Sequence, residues 1–150
     1  MQIHLESPLL PDVVALIAEL DAYQSALYPP ESNHFLDVAA LQAPEVLFLV
    51  ARDAHGVVLG IGAVVLKQSY GEIKRMYVPP AHRGRGIARA LLDRLEAEAR
   101  AAELDGLKLE TGVAQNEALR LYERAGFVRC APFDGYVDDP LSVFMHKPLR

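Results

Sequence analysis

The chain has 150 residues, 51% of them hydrophobic and 23% charged, which suits one domain with one hydrophobic core. Its net charge of −5 argues against nucleic acid as a general partner. We find neither an apolar run near the roughly 20 residues of a membrane span nor a signal peptide, so we expect a cytoplasmic protein without a membrane partner. The single cysteine, Cys130, excludes an internal disulfide and is expected to be a small buried residue.

Hydrophobic spacing divides the chain into strands and amphipathic helices in a mixed order. In chain order we predict a strand, a helix, a turn-rich segment, a short helix and three strands, at Gln2 to Glu6, Asp12 to Leu27, Tyr28 to His34, Leu36 to Leu41, Val46 to Arg52, Val57 to Lys67 and Glu72 to Val78. A helix, a strand, a helix and two strands follow, at Ile87 to Ala99, Leu107 to Thr111, Asn116 to Ala125, Phe127 to Ala131 and Ser142 to Lys147. The Asp-Ala-His-Gly turn after Arg52 favours a hairpin.

A glycine-rich turn joins the strand at Glu72 to the long helix. Its sequence is Arg83-Gly84-Arg85-Gly86-Ile87-Ala88. The first turn of a helix leaves backbone N–H groups unpaired, and glycines let that backbone approach a ligand closely. A phosphate held there would accept several N–H bonds, and the two arginines would add charge. The alternative is an ordinary strand-to-helix turn with two exposed arginines.

Three phosphate-binding motifs compete at this turn. A P-loop is excluded, because no Gly-Lys pair followed by Ser or Thr occurs in the chain. A dinucleotide fingerprint fits Gly84 and Gly86 but has Arg89 where it requires Gly or Ala. The third motif, Arg-x-x-Gly-x-Ala, is met by Arg83, Gly86 and Ala88. It resembles the coenzyme A pyrophosphate loop of the GNAT N-acetyltransferases.

A second stretch, Asn116 to Phe127, resembles the other GNAT signature, Asn-x-x-Ala-x-x-Leu-Tyr-x-x-x-Gly-Phe. The two motifs together cover about half of the chain, and the segments YPPESNH and DPLSVFMHKPL resemble a bacterial subgroup of acetyltransferases. The resemblance implies one N-acetyltransferase domain over residues 1–150, of class α/β (α+β). It implies a mixed, mostly antiparallel sheet of about six to seven strands, with splayed central strands and about four flanking helices.

The same resemblance implies a function and a donor. The enzyme would move the acetyl group of acetyl-CoA to a primary amine of a small molecule, by direct attack in a ternary complex and without a metal. The pantetheine arm would bind the splayed strand as a substitute strand. The residues implied in cofactor binding are Met76, Tyr77, Val78, Arg83, Gly84, Arg85, Gly86, Ile87, Ala88, Asn116, Leu119 and Tyr122.

Two residues are implied in the chemistry. Tyr122 would protonate the departing thiolate, although a tyrosine on that helix face could instead belong to the core. Glu72 lies where some GNAT enzymes carry the general base, although it could serve only to order the strand. Asn116 could cap its helix as well as contact the cofactor. An N–H near Met76 would stabilise the developing oxyanion.

The acceptor is less well defined. The resemblance implies a substrate wall that contains Tyr28, Asn33, His34, Glu110 and Tyr136. Acidic groups there would favour a cationic amine, the tyrosines could hold an aromatic one, and Glu110 is a weaker candidate for the base. His34 and His82 are too isolated to suggest a metal site. A protein lysine or N-terminal acetyltransferase, a non-catalytic acyl-CoA sensor and a homodimer stay open as alternatives.

Overall fold

The computed structural model describes residues 1–33 and 37–150. Its strands are β1 (Gln2–Leu5), β2 (Val46–Arg52), β3 (Val58–Leu66), β4 (Tyr70–Tyr77), β5 (Gly106–Gly112), β6 (Val128–Arg129) and β7 (Ser142–Pro148). Its helices are α1 (Pro11–Leu27), α2 (Ile87–Ala101) and α3 (Asn116–Arg124). All the predicted strands and the three longer helices are therefore present, with ends that differ by a few residues.

The short helix predicted from Leu36 to Leu41 begins at a residue outside the described part of the chain. Of the described residues of that predicted helix, Ala40 and Leu41 are helical, in a single 3₁₀ turn that spans Ala40–Gln42. Further 3₁₀ turns lie at Pro30–Ser32 and Pro80–His82. The described residues thus contain three α-helices and three short 3₁₀ turns around the sheet. No helix among them is long and apolar enough to cross a membrane.

The seven strands form one sheet in the order β1-β2-β3-β4-β5-β7-β6. Neighbouring strands are antiparallel except for the central pair, β4 and β5, which run parallel. That pairing covers only Tyr70 to Ile73 against Gly106 to Leu109, so both strands continue beyond it without pairing to each other. The predicted splay of the central strands is therefore confirmed, and it leaves backbone groups of β4 open at the middle of the sheet.

A bulge bends β4 where it leaves β5. Ala63 pairs with Lys74 and Ile61 pairs with Tyr77, so a two-residue step on β3 faces a three-residue step on β4. The extra residue is accommodated at Arg75, whose φ of 59° is unusual for a side chain of that size. The bulge turns the end of β4 away from β5 and so widens the gap between them.

Two hydrophobic clusters fill the two faces of the sheet. On one face α2 buries a stripe at helical spacing, made of Ile87, Leu91, Leu92, Leu95 and Ala99. On the other face α1 buries Val13, Leu16, Ile17 and Leu20. Helix α3 contributes Leu119 and Tyr122 to the α2 cluster. The gap between β4 and β5 lies where the C-terminal half of α1, the start of α2 and helix α3 come together.

Candidate functional site

Two cavities open at the gap between β4 and β5. The larger one, which we call the groove, has a volume of about 680 Å³ and runs between the end of β4, residues 82–89 and residues 114–124. The smaller one, the inner cavity, has a volume of about 90 Å³ and lies beneath the C-terminal half of α1. Both are lined by Leu20, Met76, Gln115, Ala118 and Tyr122. The two cavities are therefore neighbours, and Tyr122 borders both of them.

The glycine-rich turn forms one end of the groove. Gly84 and Gly86 have φ angles of 78° and 76°, which favour glycine, and no atom lies within 4 Å of a Cβ built on either residue. Gly86 precedes α2, and no side chain caps that helix. Within the described residues, the N–H groups of Gly84, Arg85 and Gly86 have no hydrogen-bond acceptor. These open donors at a helix N-terminus fit a phosphate or diphosphate group.

The two arginines of the turn have different surroundings. Arg83 lines the groove, but its Nε donates to the Val78 carbonyl at 2.9 Å. Its guanidinium lies 6.0 Å from the Tyr23 ring centre and 5.8 Å from that of Tyr77. Arg83 thus braces the turn against β4 and α1, while Arg85 is exposed and does not line the groove.

Three cations of the groove were not among the predicted cofactor residues. Arg89, on α2, and Arg120 and Arg124, on α3, all line it. Their signal in the sequence was weak, because arginine on an exposed helix face is usually only solvated. Together with Arg83 they outnumber the acidic lining residue Glu117, so the described lining of the groove is cationic on a chain whose net charge is −5.

Tyr122 is both a core residue and a lining residue of both cavities. It is 6% exposed, and its ring packs edge-on against Phe127 at 5.6 Å between centroids. Burial raises the pKa of the Tyr122 phenol well above its ordinary value, so the hydroxyl keeps its proton at neutral pH. Leu119, one turn earlier, lies in the hydrophobic core and lines neither cavity.

The N-cap residue of α3 differs from the predicted one. Gln115 occupies the N-cap position, and Asn116 is the first residue of the helix, so Asn116 is not the cap. The Gln115 Oε1 accepts a hydrogen bond from the Gly112 N–H at 3.1 Å. Counting back from Tyr122 places Gln115, not Asn116, at the asparagine position of the signature. The spacing alone could therefore have identified Gln115. Asn116 still lines the groove.

Tyr28 fixes the connection between β5 and α3. Its hydroxyl accepts a hydrogen bond from the Ala114 N–H at 3.1 Å and donates to Gln115 Oε1 at 3.4 Å. Tyr28 is only 7% exposed, and burial raises its pKa. Its ring packs so closely over Gly112 that a Cβ there would lie 1.8 Å from the Tyr28 oxygen. Tyr28 therefore lines the inner cavity as a fixed wall that also positions α3.

Replacing Gly112 with alanine is expected to destabilise the fold by about 2 kcal/mol, because either Tyr28 or the β5–α3 connection must move. Thermal unfolding should show a Tm lowered by roughly 4–8 °C. Val113→Ala, next in the chain and at an exposed position, should change stability by less than about 0.5 kcal/mol. An unchanged Tm for Gly112→Ala would show that the Tyr28 contact is easily replaced.

Glu72 lies in the inner cavity within a hydrogen-bonded group of three side chains. It is 2% exposed. Its Oε2 accepts a hydrogen bond from the Tyr136 hydroxyl at 2.6 Å and lies 3.3 Å from the Lys74 Nζ. Lys74 also donates to the Tyr136 oxygen at 2.6 Å. Burial, followed by the hydrogen bond to Glu72, raises the pKa of Tyr136, so its phenol remains a donor.

Of the other predicted substrate residues, Glu110 and Asn33 line the same cavity, Tyr136 does not line it, and His34 lies outside the described chain. Glu110 lines it and accepts a hydrogen bond from the Ser142 hydroxyl at 2.9 Å. Asn33 lines it and donates to the carbonyl of Tyr28 at 3.3 Å. Tyr136 reaches the site through its bond to Glu72, and His34 falls outside the described residues. Among residues 1–33 and 37–150, no group of His, Cys, Asp and Glu side chains could hold a metal ion.

Comparison with known proteins gives relatives along nearly the whole chain. The chain is 53% identical to the IAA acetyltransferase of Azospirillum brasilense, over 96% of this chain and 95% of the relative. It is 38% identical to the uncharacterized N-acetyltransferase YsnE of Bacillus subtilis, over 91% of this chain and 92% of the relative.

Solved structures share the fold. A Klebsiella pneumoniae protein of the acyl-CoA N-acyltransferase type superposes with a TM-score of 0.86 at 40% identity, covering 99% of this chain and 97% of that one. The PaiA N-acetyltransferase of Thermoplasma acidophilum, solved in complex with coenzyme A, has a TM-score of 0.73 at 17% identity and covers 99% of both chains. The family model described as Acetyltransferase (GNAT) family matches residues 14–127. The chain therefore belongs to the GNAT family of N-acetyltransferases.

Proposed function

We propose that this enzyme binds acetyl-CoA in the groove and transfers its acetyl group to a primary amine of a small molecule held in the inner cavity. The observation that carries this proposal is the meeting of the two cavities at Tyr122. One cavity ends in open backbone donors suited to a diphosphate, and the other contains a buried carboxylate suited to an amine. Direct attack needs this arrangement, since donor and acceptor must be bound together.

The groove offers a separate contact for each part of the donor. The N–H groups of Gly84 and Gly86, which line the groove, would hold the diphosphate, with added charge from the groove arginines. The backbone of Met76 and Val78, beyond the last residue paired to β5, would bind the two amides of the pantetheine arm as a neighbouring strand would. When bound, acetyl-CoA supplies an acetyl group activated as a thioester.

Tyr122 and Glu72 would divide the proton transfers between them. Glu72 would take a proton from the acceptor amine, which is mostly protonated at neutral pH. Tyr122 would give its phenol proton to the departing sulfur, a role for which the raised pKa keeps that proton in place. The N–H of Met76, at the bulge of β4, would stabilise negative charge on the thioester oxygen.

The inner cavity supports a small polar acceptor rather than an aromatic one. Its charged lining combines Glu72 and Glu110 with Lys74 and Arg75. The tyrosines expected to hold an aromatic acceptor are occupied by the protein itself, because the Tyr28 ring covers Gly112 and the Tyr136 hydroxyl is bonded to Glu72. A volume of about 90 Å³ also suits a small molecule better than an extended peptide.

A panel of polyamines, amino acids, amino sugars and short peptides, each incubated with acetyl-CoA, tests this proposal directly. Free thiol release would follow the rate, and mass spectrometry would identify the acetylated product. We expect turnover with a small primary amine and slower turnover with peptides. Turnover confined to peptides or proteins would overturn the small-molecule assignment.

Replacing Gly86 with alanine is expected to raise the Kd for coenzyme A about tenfold, measured by isothermal titration calorimetry. Alanine at a φ of 76° costs about 1–2 kcal/mol, so the open donors of the turn would lose their arrangement. Gly56→Ala is a matched control, because Gly56 has a φ of 82°, also has no atom near its Cβ position, and lies in the β2–β3 turn. Equal affinities in the two variants would place the diphosphate elsewhere.

A further inference from the structure

The loop between β6 and β7 brings a tyrosine from far along the chain onto Glu72. Tyr136 lies 64 positions after Glu72, and its ring packs against Phe133 and Phe144 at centroid distances of 5.4 Å and 5.6 Å. Its N–H also donates to the Phe133 carbonyl at 3.0 Å. These contacts fix the ring, so the direction in which the hydroxyl points is fixed as well.

The contacts to the Glu72 carboxylate are unevenly divided between its two oxygens. Tyr136 and Lys74 both contact Oε2. Across the described residues, Oε1 receives no hydrogen bond. Because Glu72 lines the inner cavity, Oε1 is the carboxylate oxygen left for a molecule bound there.

We propose that Tyr136 is a positioning residue that holds Oε2 of Glu72, together with Lys74, so that Oε1 is the atom that takes the proton from the acceptor amine. This rests on the proposed role of Glu72 as the base. A carboxylate held through one oxygen cannot rotate freely, and its other oxygen keeps one direction. The hydrogen bond from Tyr136 also stabilises the ionised form, which is the form a base must have.

The charged surroundings of Glu72 would be unchanged by loss of the Tyr136 hydroxyl. The titratable groups near it in residues 1–33 and 37–150 come from the residue after β3, from β4, from β5 and from the β6–β7 loop, and they include Lys67, Tyr70, Lys74, Arg75, Lys108, Glu110, Asp134 and Tyr136. Lys67 pairs with Asp134 at 3.0 Å, and Arg75 pairs with Asp21. Tyr136→Phe removes one donor and no charge, so the ionised carboxylate loses stabilisation and protonates at a higher pH.

The test compares Tyr136→Phe with Tyr70→Phe. Both rings pack edge-on against Phe133, at 5.4 Å and 5.8 Å, but only the Tyr136 hydroxyl is bonded to Glu72. Carbon-13 NMR of the side-chain carboxyls would follow Glu72 through a pH titration, its signal assigned by its loss in Glu72→Gln. We expect the midpoint to rise by about one pH unit in Tyr136→Phe and to stay unchanged in Tyr70→Phe. Lys74→Gln, which removes the second contact, should move it in the same direction.

A midpoint in Tyr136→Phe equal to that of the unmodified protein would overturn the positioning role, whether or not acetyl transfer has been observed. The acid limb of kcat/KM, measured with acetyl-CoA and the best amine of the panel, should move with the midpoint while the KM for acetyl-CoA stays constant. If the midpoint moves and the acid limb does not, Tyr136 holds Glu72 but Oε1 is not the base. The two readouts thus separate failure of the positioning role from failure of the proposed catalytic role.

Discussion

Replacing Tyr122 with phenylalanine is expected to lower kcat about 100-fold or more, while the affinity for acetyl-CoA changes little. The substitution removes only the hydroxyl, so the ring keeps its edge-on contact with Phe127 and the helix keeps its packing. Without that proton the departing sulfur must leave as a thiolate, or water must supply the proton. Steady-state kinetics together with calorimetry of coenzyme A binding would separate the two effects.

A suitable control for Tyr122→Phe is Tyr23→Phe. Tyr23 also lines the groove, but it lies on α1 at the opposite wall and does not reach the inner cavity. Its loss of a hydroxyl should leave kcat within about twofold, as surface changes usually do. An unchanged kcat in Tyr122→Phe would remove the acid role and leave Tyr122 as a core residue.

Replacing Glu72 with glutamine is expected to lower kcat/KM at least about 100-fold at neutral pH and to abolish the acid limb of its pH profile. Glutamine preserves the shape of the side chain and can still accept from Tyr136, but it cannot take a proton from the amine. At high pH, where more of the acceptor is already deprotonated, the difference from the unmodified enzyme should shrink. Thermal unfolding would show whether the lost pairing with Lys74 also weakens the fold.

Glu110→Gln distinguishes the two carboxylates of the inner cavity. Glu110 accepts a hydrogen bond from Ser142, whereas Glu72 is bonded to Tyr136 and contacts Lys74. We expect Glu110→Gln to change mainly the KM for the amine and to leave the acid limb in place. If Glu110→Gln removes the acid limb and Glu72→Gln does not, the base is Glu110 and Glu72 serves to order β4.

The parts of the site that could be predicted from the sequence are those encoded by neighbouring residues. The turn from Arg83 to Ala88 has its glycines, its arginines and its helix start within six positions. Local rules were therefore sufficient to predict the shape of this turn and the start of the helix. The splayed strands and Tyr122 followed from the resemblance to the family. The single error at the head of α3 came from starting the signature at Asn116 instead of one residue earlier, at Gln115.

The parts that could not be predicted depend on contacts between distant residues. The bond from Tyr136 to Glu72 spans 64 positions and that from Tyr28 to Gln115 spans 87, and no local pattern encodes either pairing. The bulge at Arg75 was also hidden, because arginine gives no local signal for a positive φ. The contacts of Tyr28 and Tyr136 were hidden too, because they also join distant residues: these tyrosines were expected to hold an aromatic acceptor but are packed against the protein's own backbone and side chains.

The short pairing of β4 with β5 has a consequence for the lifetime of the protein. Four residue pairs connect a four-stranded half of the sheet to a three-stranded half. A ligand that forms backbone hydrogen bonds beyond those pairs would strengthen the junction between the two halves. At a hundredfold excess over its Kd, it would add about 2.7 kcal/mol to the free energy of unfolding. Resistance to heat and to proteolysis would then rise and fall with the concentration of the acyl donor.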